Sequence, residues 1–130
     1  MVFENLSGLN KIAVVTGAAG FIGRAVCKKM AAAGWRIFGI GHGDWQPSEF
    51  QQFGVAKWLN ADVSMENLKL LLGEQYPSSI VHCAGGAAVS ASYSDPFKDF
   101  ERTVTSTAVI LEFVRMSKFD GVRVVVAILS

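Results

Sequence analysis

The chain has 130 residues, 51% of them hydrophobic and 18% charged, with a formal net charge of +1. That length suits one domain with a single core, burying about two thirds of the surface the unfolded chain exposes. The apolar, nearly neutral composition excludes a disordered segment and lacks the basic footprint of a nucleic-acid or anionic-membrane partner.

In chain order, short β-branched runs alternate with longer helical patterns, the mark of βαβ units and a parallel sheet. The opening "MVFENLSGLN" has neither the basic start nor the apolar core of a secretory leader. Ile12 to Thr16 is the first predicted strand. A helix from Phe21 to Ala33 follows, with Ile22, Val26 and Met30 on one face and Gly34 placed to end it. Arg36 to Ile40 is a second strand, and the polar loop after it has room for one helical turn. Val55 to Leu59 is a third strand, and Ser64 is positioned to cap a helix running to Leu72. The turn signal "YPSS" precedes a fourth strand, Ile80 to Cys83. Asp95 and Pro96 form a strong helix start. The helix they open runs to Ser117, with Phe97, Phe100, Val104, Ala108, Leu111 and Val114 spaced as one apolar stripe. Arg123 to Leu129 is a fifth strand. The most apolar stretch, Val122 to Leu129, contains Arg123 and is far short of the ~20 residues a membrane span needs. The expectation is a doubly wound parallel α/β sheet of order 3-2-1-4-5, one domain over residues 1–130, with no membrane partner.

The stretch "VTGAAGFIG" places Gly17, Gly20 and Gly23 where the first strand gives way to the first helix. Glycine weakens both kinds of element, so a reason is needed. Gly17 permits a tight turn, Gly20 lets the backbone approach a pyrophosphate, and Gly23 lets the helix pack closely on the strand. The free N–H groups and positive dipole end of the helix favour an anion there. In this strand–glycine–helix context the pattern reads as a dinucleotide-binding turn. Arg24, on the first helical turn, reads as a surface arginine or as a phosphate contact. Cys27 and Cys83 have no CxxC spacing and read as reduced thiols of a cytoplasmic protein. With His42 and His82 they lack metal-ligand spacing, so no metal site is expected. His82, ending a buried strand, reads as a packed, hydrogen-bonded residue ahead of the alternative, a catalytic one. Asp95 and Asp99 read as a helix cap and a charge complementing the dipole. Trp35, Trp45 and Trp58 read as packing residues.

Four stretches together resemble the extended short-chain dehydrogenases/reductases, the NAD(P)-dependent sugar-nucleotide epimerases, dehydratases and reductases. "TGAAGFIG" is similar to the family's TGxxGxxG cofactor loop, which implies a Rossmann fold and cofactor contacts at Gly17, Gly20, Phe21, Ile22 and Gly23. "ADV" resembles the segment whose aspartate meets the adenine edge, implying that role for Asp62 beside Val63. "VHCAGG" resembles the HxAG stretch lining the cofactor, implying Ala84, Gly85 and Gly86. "TVTST", Thr103 to Thr107, stands where the family has an NVxGT-like sequence, with Thr103 replacing the asparagine.

Two departures matter. NAD-preferring members close the second strand with an acidic residue, but here Gly41 holds that place, followed by His42. A carboxylate there would repel a 2′-phosphate, so its absence tilts the reading from NAD slightly toward NADP, although Asp44 stands near enough in sequence to serve. His42 reads either as a solvated loop residue or as a contact to that phosphate. The family also uses a Ser or Thr past the fifth strand and a YxxxK pair, whose tyrosine is the acid/base. The only tyrosines are Tyr76 and Tyr93, and four residues on stand Ile80 and Phe97. The resemblance puts the family's serine at Ser130, the last residue. The chain therefore reads as the N-terminal half of a nucleotide-sugar enzyme, catalytically incomplete by itself, or as a non-catalytic dinucleotide sensor. The resemblance also implies a homodimer through the long helix, with Phe113, Met116 and the edge of the fifth strand left uncovered.

Overall fold

The computed structural model describes residues 11–83, 95–117 and 121–127. Ala84, Gly85, Gly86, Tyr93 and Ser130 lie outside the described residues, as does the side chain of Asp99. Five strands form one parallel sheet: β1 (Ile12–Thr16), β2 (Arg36–Gly41), β3 (Val55–Asn60), β4 (Ser79–His82) and β5 (Arg123–Val126). Their order is β3-β2-β1-β4-β5, as the βαβ alternation predicts. The helices are α1 (Phe21–Ala32), the short α2 (Pro47–Phe50), α3 (Met65–Leu72) and α4 (Pro96–Met116), and a 3-10 turn over Gln51–Phe53 follows α2. No helix among the described residues is long and apolar enough to cross a membrane.

β1 is the centre of the sheet because its side chains serve both faces. All five residues are buried. Successive side chains of a strand point to opposite sides, and here both sets are apolar. Ile12 and Val14 join Phe38, Ile40 and Ile80 under α3 and α4, where Leu68, Leu71, Ile110 and Phe113 complete one core layer. Ala13 and Val15 join Ile37, Val55 and Val81 on the other face, closed by Cys27 of α1 with Trp45 and Phe50. Each such Val, Ile, Leu or Phe contributes roughly 1.5–3 kcal/mol on full burial. The continuous apolar run is thus what commits the segment to a strand covered on two sides.

The helix starts follow local chemistry. Ser64 Oγ accepts from Asn67 N–H at 3.1 Å, and Asp95 Oδ1 accepts from Lys98 N–H at 3.1 Å with Pro96 next in chain. Such caps are worth about 1 kcal/mol each.

The face of α4 differs from the expected one. Phe97, Phe100, Val104 and Leu111 were expected on the buried stripe but are exposed, at 86%, 68%, 49% and 54%. Toward the sheet α4 turns Ile110 and Phe113, with Val109 and Val114 packed beside them. Phe113 was expected to be uncovered and is buried, whereas Met116 is exposed as expected. The same inward face carries Thr103, Ser106 and Thr107 nearer its start, all half-buried. Helical periodicity identifies a stripe without saying which side meets the sheet. Here the inward stripe is polar where it reaches the end of β4, so the more apolar stripe lies outside. At the sheet edge, Val125 and Val126 of β5 are exposed, as expected for an open strand.

Gly23 has the tightest surroundings. A Cβ there would stand 2.0 Å from Gly17 O and 2.7 Å from Ala18 Cα, backbone atoms with little room to yield. Gly23→Ala should therefore cost about 3 kcal/mol, the upper end of overpacking penalties. A lowered urea midpoint checks this; an unchanged midpoint would refute the close approach.

Candidate functional site

The site grows from the junction of β1 and α1. Gly17 adopts φ 64°, the left-handed region, which lets the chain reverse immediately after Thr16. Gly17 N–H donates to Ile40 O at 2.7 Å, tying the turn to β2, and Gly20 N–H donates to Gly17 O at 3.0 Å. Gly20 is the N-cap of α1 and, unlike Ser64 and Asp95, offers no side-chain oxygen to the helix start; the first turn holds no acidic residue either. The start of α1 is thus open to an anion supplied from outside the helix. Gly23 permits the close approach expected of it, but against the turn's own Gly17–Ala18 backbone. The end of β2 presses on the same turn, since a Cβ at Gly41 would lie 3.3 Å from Gly17 Cα and N and from Trp58 Cη2.

The turn opens into a cleft of about 910 Å³ at the carboxyl ends of the strands. Gly17 and Gly20 form its floor, Gly41, His42, Ala61, Asp62 and Val63 one wall, and Lys98, Glu101, Arg102, Thr105 and Ser106 of α4 another, with Cys83 at the end of β4. Of the residues the sequence pointed to, the structure brings together Gly17, Gly20, His42, Asp62 and Val63. Phe21, at 90% exposure, and the half-buried Ile22 are not among the lining residues; Gly23 is buried beneath the turn. The α4 wall was missed. Its signal in the sequence was polarity: "TVTST" interrupts an apolar helix, and Lys98 and Arg102 recur four apart on one face.

His42 and Asp62 face each other at the mouth, Nε2 to Oδ1 at 2.6 Å, both largely exposed. Solvent leaves such a pair worth about 0–1 kcal/mol, so its interest is where it puts charge. Asp44 turns away, its Oδ1 accepting from Gln46 Nε2 at 2.7 Å, and it does not line the cleft. Arg24 is likewise engaged elsewhere. Its Nε donates to Ala19 O at 2.7 Å, and its guanidinium lies 5.1 Å from the Trp45 ring centre and 5.3 Å from that of Phe53.

Beneath the cleft runs a polar tie. Thr16 Oγ1 and His82 Nδ1 are 2.6 Å apart, and His82 Nε2 and Ser106 Oγ are 3.1 Å apart. Cys83 N–H donates to Thr16 Oγ1 at 3.0 Å. His82 is packed and hydrogen-bonded, as its strand-end position suggested, and burial lowers its pKa from the ordinary 6.5. Burial, then the neighbouring Cys83, push the Cys27 thiol up to about 12, and burial raises that of Cys83. Both cysteines are free. No group of three or more His, Cys, Asp or Glu among the described residues is placed to hold a metal. Among the described residues no tyrosine lines the cleft. The arrangement offers anion binding at the turn and hydroxyl or amine recognition at Asp62.

A doubly wound sheet with an uncapped glycine turn at the crossover between β1 and β4 defines the dinucleotide-fold class, whose ligands sit at that switch point. Residues 13–130 match the NAD-dependent epimerase/dehydratase family, and the chain belongs to it. It is 32% identical over 119 residues to a UDP-glucose 4-epimerase of Mycolicibacterium smegmatis, covering 87% of this chain and 36% of that protein. The UDP-glucose 4-epimerase of Thermus thermophilus, solved in complex with NAD, superposes with a TM-score of 0.62 at 28% identity, over 80% of this chain and 33% of that one. The Brucella ovis UDP-glucose 4-epimerase, also in complex with NAD, shares the fold with a TM-score of 0.71 at 23% identity, over 89% and 35% of the two chains. The chain thus spans about a third of the length of these relatives.

The buried neutral His82 carries a pH signature. Its pKa lies below the ordinary 6.5 in the fold, so on acidification the unfolded chain takes the proton first. Stability from this group is therefore undiminished above about pH 6.5 and falls as pH drops from there toward the folded pKa. Denaturation midpoints measured between about pH 7 and 5 should decline in the wild type and flatten in His82→Gln. Equal slopes in the two would refute the assignment.

Proposed function

We propose that the chain is the NAD-binding, N-terminal portion of an epimerase or dehydratase acting on a nucleotide-linked sugar. The observation that carries this reading is the glycine-built, uncapped start of α1 opening into the switch-point cleft. A pyrophosphate fits there because Gly20 presents no side chain to the space it needs. In this reading the phosphates lie over Gly17 and Gly20 and the adenosine extends toward His42, Asp62 and Val63, while the family resemblance gives Ala84, Gly85 and Gly86 further cofactor contacts. Phe21, Ile22 and Gly23 act by shaping the turn. When bound, NAD supplies the hydride acceptor for oxidation at a sugar carbon. The names of the relatives, UDP-glucose 4-epimerases, support a nucleotide sugar as the substrate of the full-length parent.

NAD is preferred over NADP in this proposal. His42, the candidate contact for a 2′-phosphate, stands 2.6 Å from a carboxylate that would repel one. The Thermus thermophilus relative is in complex with NAD, so the slight tilt toward NADP from the missing acid at Gly41 finds no further support. By itself the chain is catalytically incomplete in this reading: Tyr76 and Tyr93 are not followed by lysine four residues on, and Ser130 takes the family's serine position. The parent is assigned to the cytoplasm, where both thiols stay reduced.

Calorimetry tests the core of this. NAD should bind the wild-type chain and not Gly20→Val. The Gly20 backbone, φ −76° and ψ 174°, is one any residue adopts, and a Cβ there would stand 3.3 Å from Gly17 O, so a far-ultraviolet spectrum like the wild type's is the check that the variant is folded. Alkylation of Cys83, which lines the cleft, should slow with NAD present. Turnover of a panel of nucleotide sugars by this chain should be absent. Equal NAD affinity in wild type and Gly20→Val refutes the site, and sustained turnover refutes the incompleteness.

The exposed stripe of Phe97, Phe100, Val104 and Leu111 is, in the same reading, the homodimer surface. Light scattering at high protein concentration should give a dimer or larger species. A monodisperse monomer would overturn it.

A further inference from the structure

The polar tie beneath the cleft has a direction, set by the one group in it that can only accept. Ser106 Oγ donates to Thr103 O at 3.2 Å, a carbonyl that also accepts from Thr107 Oγ1 at 2.7 Å and has no proton to return. With that proton donated, Ser106 Oγ is left as the acceptor for His82 Nε2, 3.1 Å away, an arrangement that assigns the ring's hydrogen to Nε2. The ring is 1% exposed and no carboxylate among the described residues is hydrogen-bonded to it, so it holds one proton rather than two. Nδ1 is then a bare acceptor, and the Thr16 hydroxyl donates to it at 2.6 Å. Thr16 Oγ1 in turn accepts from Cys83 N–H at 3.0 Å. The donors alternate in one sense from Cys83 through Thr16 and His82 to Ser106 and Thr103.

We infer that His82 is a positioning residue of the cleft: held in its neutral Nε2–H form, it ties the strand ends under the glycine turn to the α4 wall. Thr16 immediately precedes Gly17, while Cys83 and Ser106 line the cleft. The tie therefore sets the spacing between the turn and the α4 wall. A buried tie of this kind is costly when half satisfied and rigid when complete. That its rigidity serves a ligand rests on the dinucleotide reading above.

The ring tautomer is measurable directly. The chain contains two histidines, and His42 is exposed, so a long-range ¹H–¹⁵N correlation of ¹⁵N-histidine-labelled protein separates them. The wild type should show His82 protonated at Nε2 and bare at Nδ1 at neutral pH. Thr16→Ser, which keeps the hydroxyl, should preserve that pattern and hold the NAD dissociation constant within about twofold. Thr16→Val should shift the Nδ1 resonance, and both it and the milder Ser106→Ala on α4 should weaken NAD roughly three- to tenfold, the scale of one neutral hydrogen bond. A ring protonated at Nδ1, or doubly protonated at neutral pH, overturns the inference without any variant. Unchanged NAD affinity in both Thr16→Val and Ser106→Ala also overturns it. A wild-type chain with the stated tautomer that binds no NAD would instead refute the dinucleotide reading, so the two failures are distinct.

Discussion

Everything at the upper edge of the sheet depends on one close backbone approach. Gly17, Ala18 and Gly23 lie so near one another that a methyl group at Gly23 would sit 2.0 Å from a carbonyl oxygen. That proximity lets the chain leave β1 and enter α1 within a single turn, which aims the helix N-terminus at the cleft rather than past it. The end of β2 closes on the same turn from the side, through the Gly17 N–H to Ile40 O bond and the small Gly41. The turn is therefore clamped between two elements, and its N–H groups are fixed in place before any ligand arrives. Preorganised donors of this kind gain affinity because little is lost in ordering them.

The helix starts divide the molecule into structural and binding ends. α3 and α4 satisfy N–H groups at their starts with Ser64 and Asp95. The short α2 starts without a side-chain cap, but none of its residues lines the cleft. α1 also offers no side-chain cap, and its N-cap Gly20 lines the cleft. A cap there would add about 1 kcal/mol of stability and would compete with an incoming anion. Local stability is thus lower where an anion can be taken up.

α4 shows the same compromise on a larger scale. Its inward face is apolar at Ile110 and Phe113, where it covers Leu68 and Leu71, and polar at Thr103, Ser106 and Thr107 beside the end of β4. A helix made only to cover the sheet would carry aliphatic residues along that whole stripe. The polar half instead meets His82 and borders the cleft, while phenylalanines occupy the outer side. One helix serves as core cover, cleft wall and exposed apolar surface.

The sequence by itself determined the strand and helix order, because β-branched runs and three-to-four-residue spacing report local backbone preference directly. It also determined the parallel 3-2-1-4-5 sheet, since βαβ crossovers leave few topologies, and the turn at Gly17 to Gly23, because glycine alone suits the left-handed Gly17 and the close approach at Gly23. Tertiary structure decided what local pattern does not encode. It chose which stripe of α4 meets the sheet, brought Lys98, Arg102 and Ser106 to a cleft whose other wall stands far earlier in the chain, at His42 and Asp62, and turned Arg24 onto Trp45 and Phe53 instead of toward the cleft. It set Asp62 beside His42, and it joined Thr16 to His82 across 66 positions. The physical reason is common to all of these: periodicity fixes a residue's angle about its own element, whereas facing and distance are fixed only when elements compete for the same buried surface.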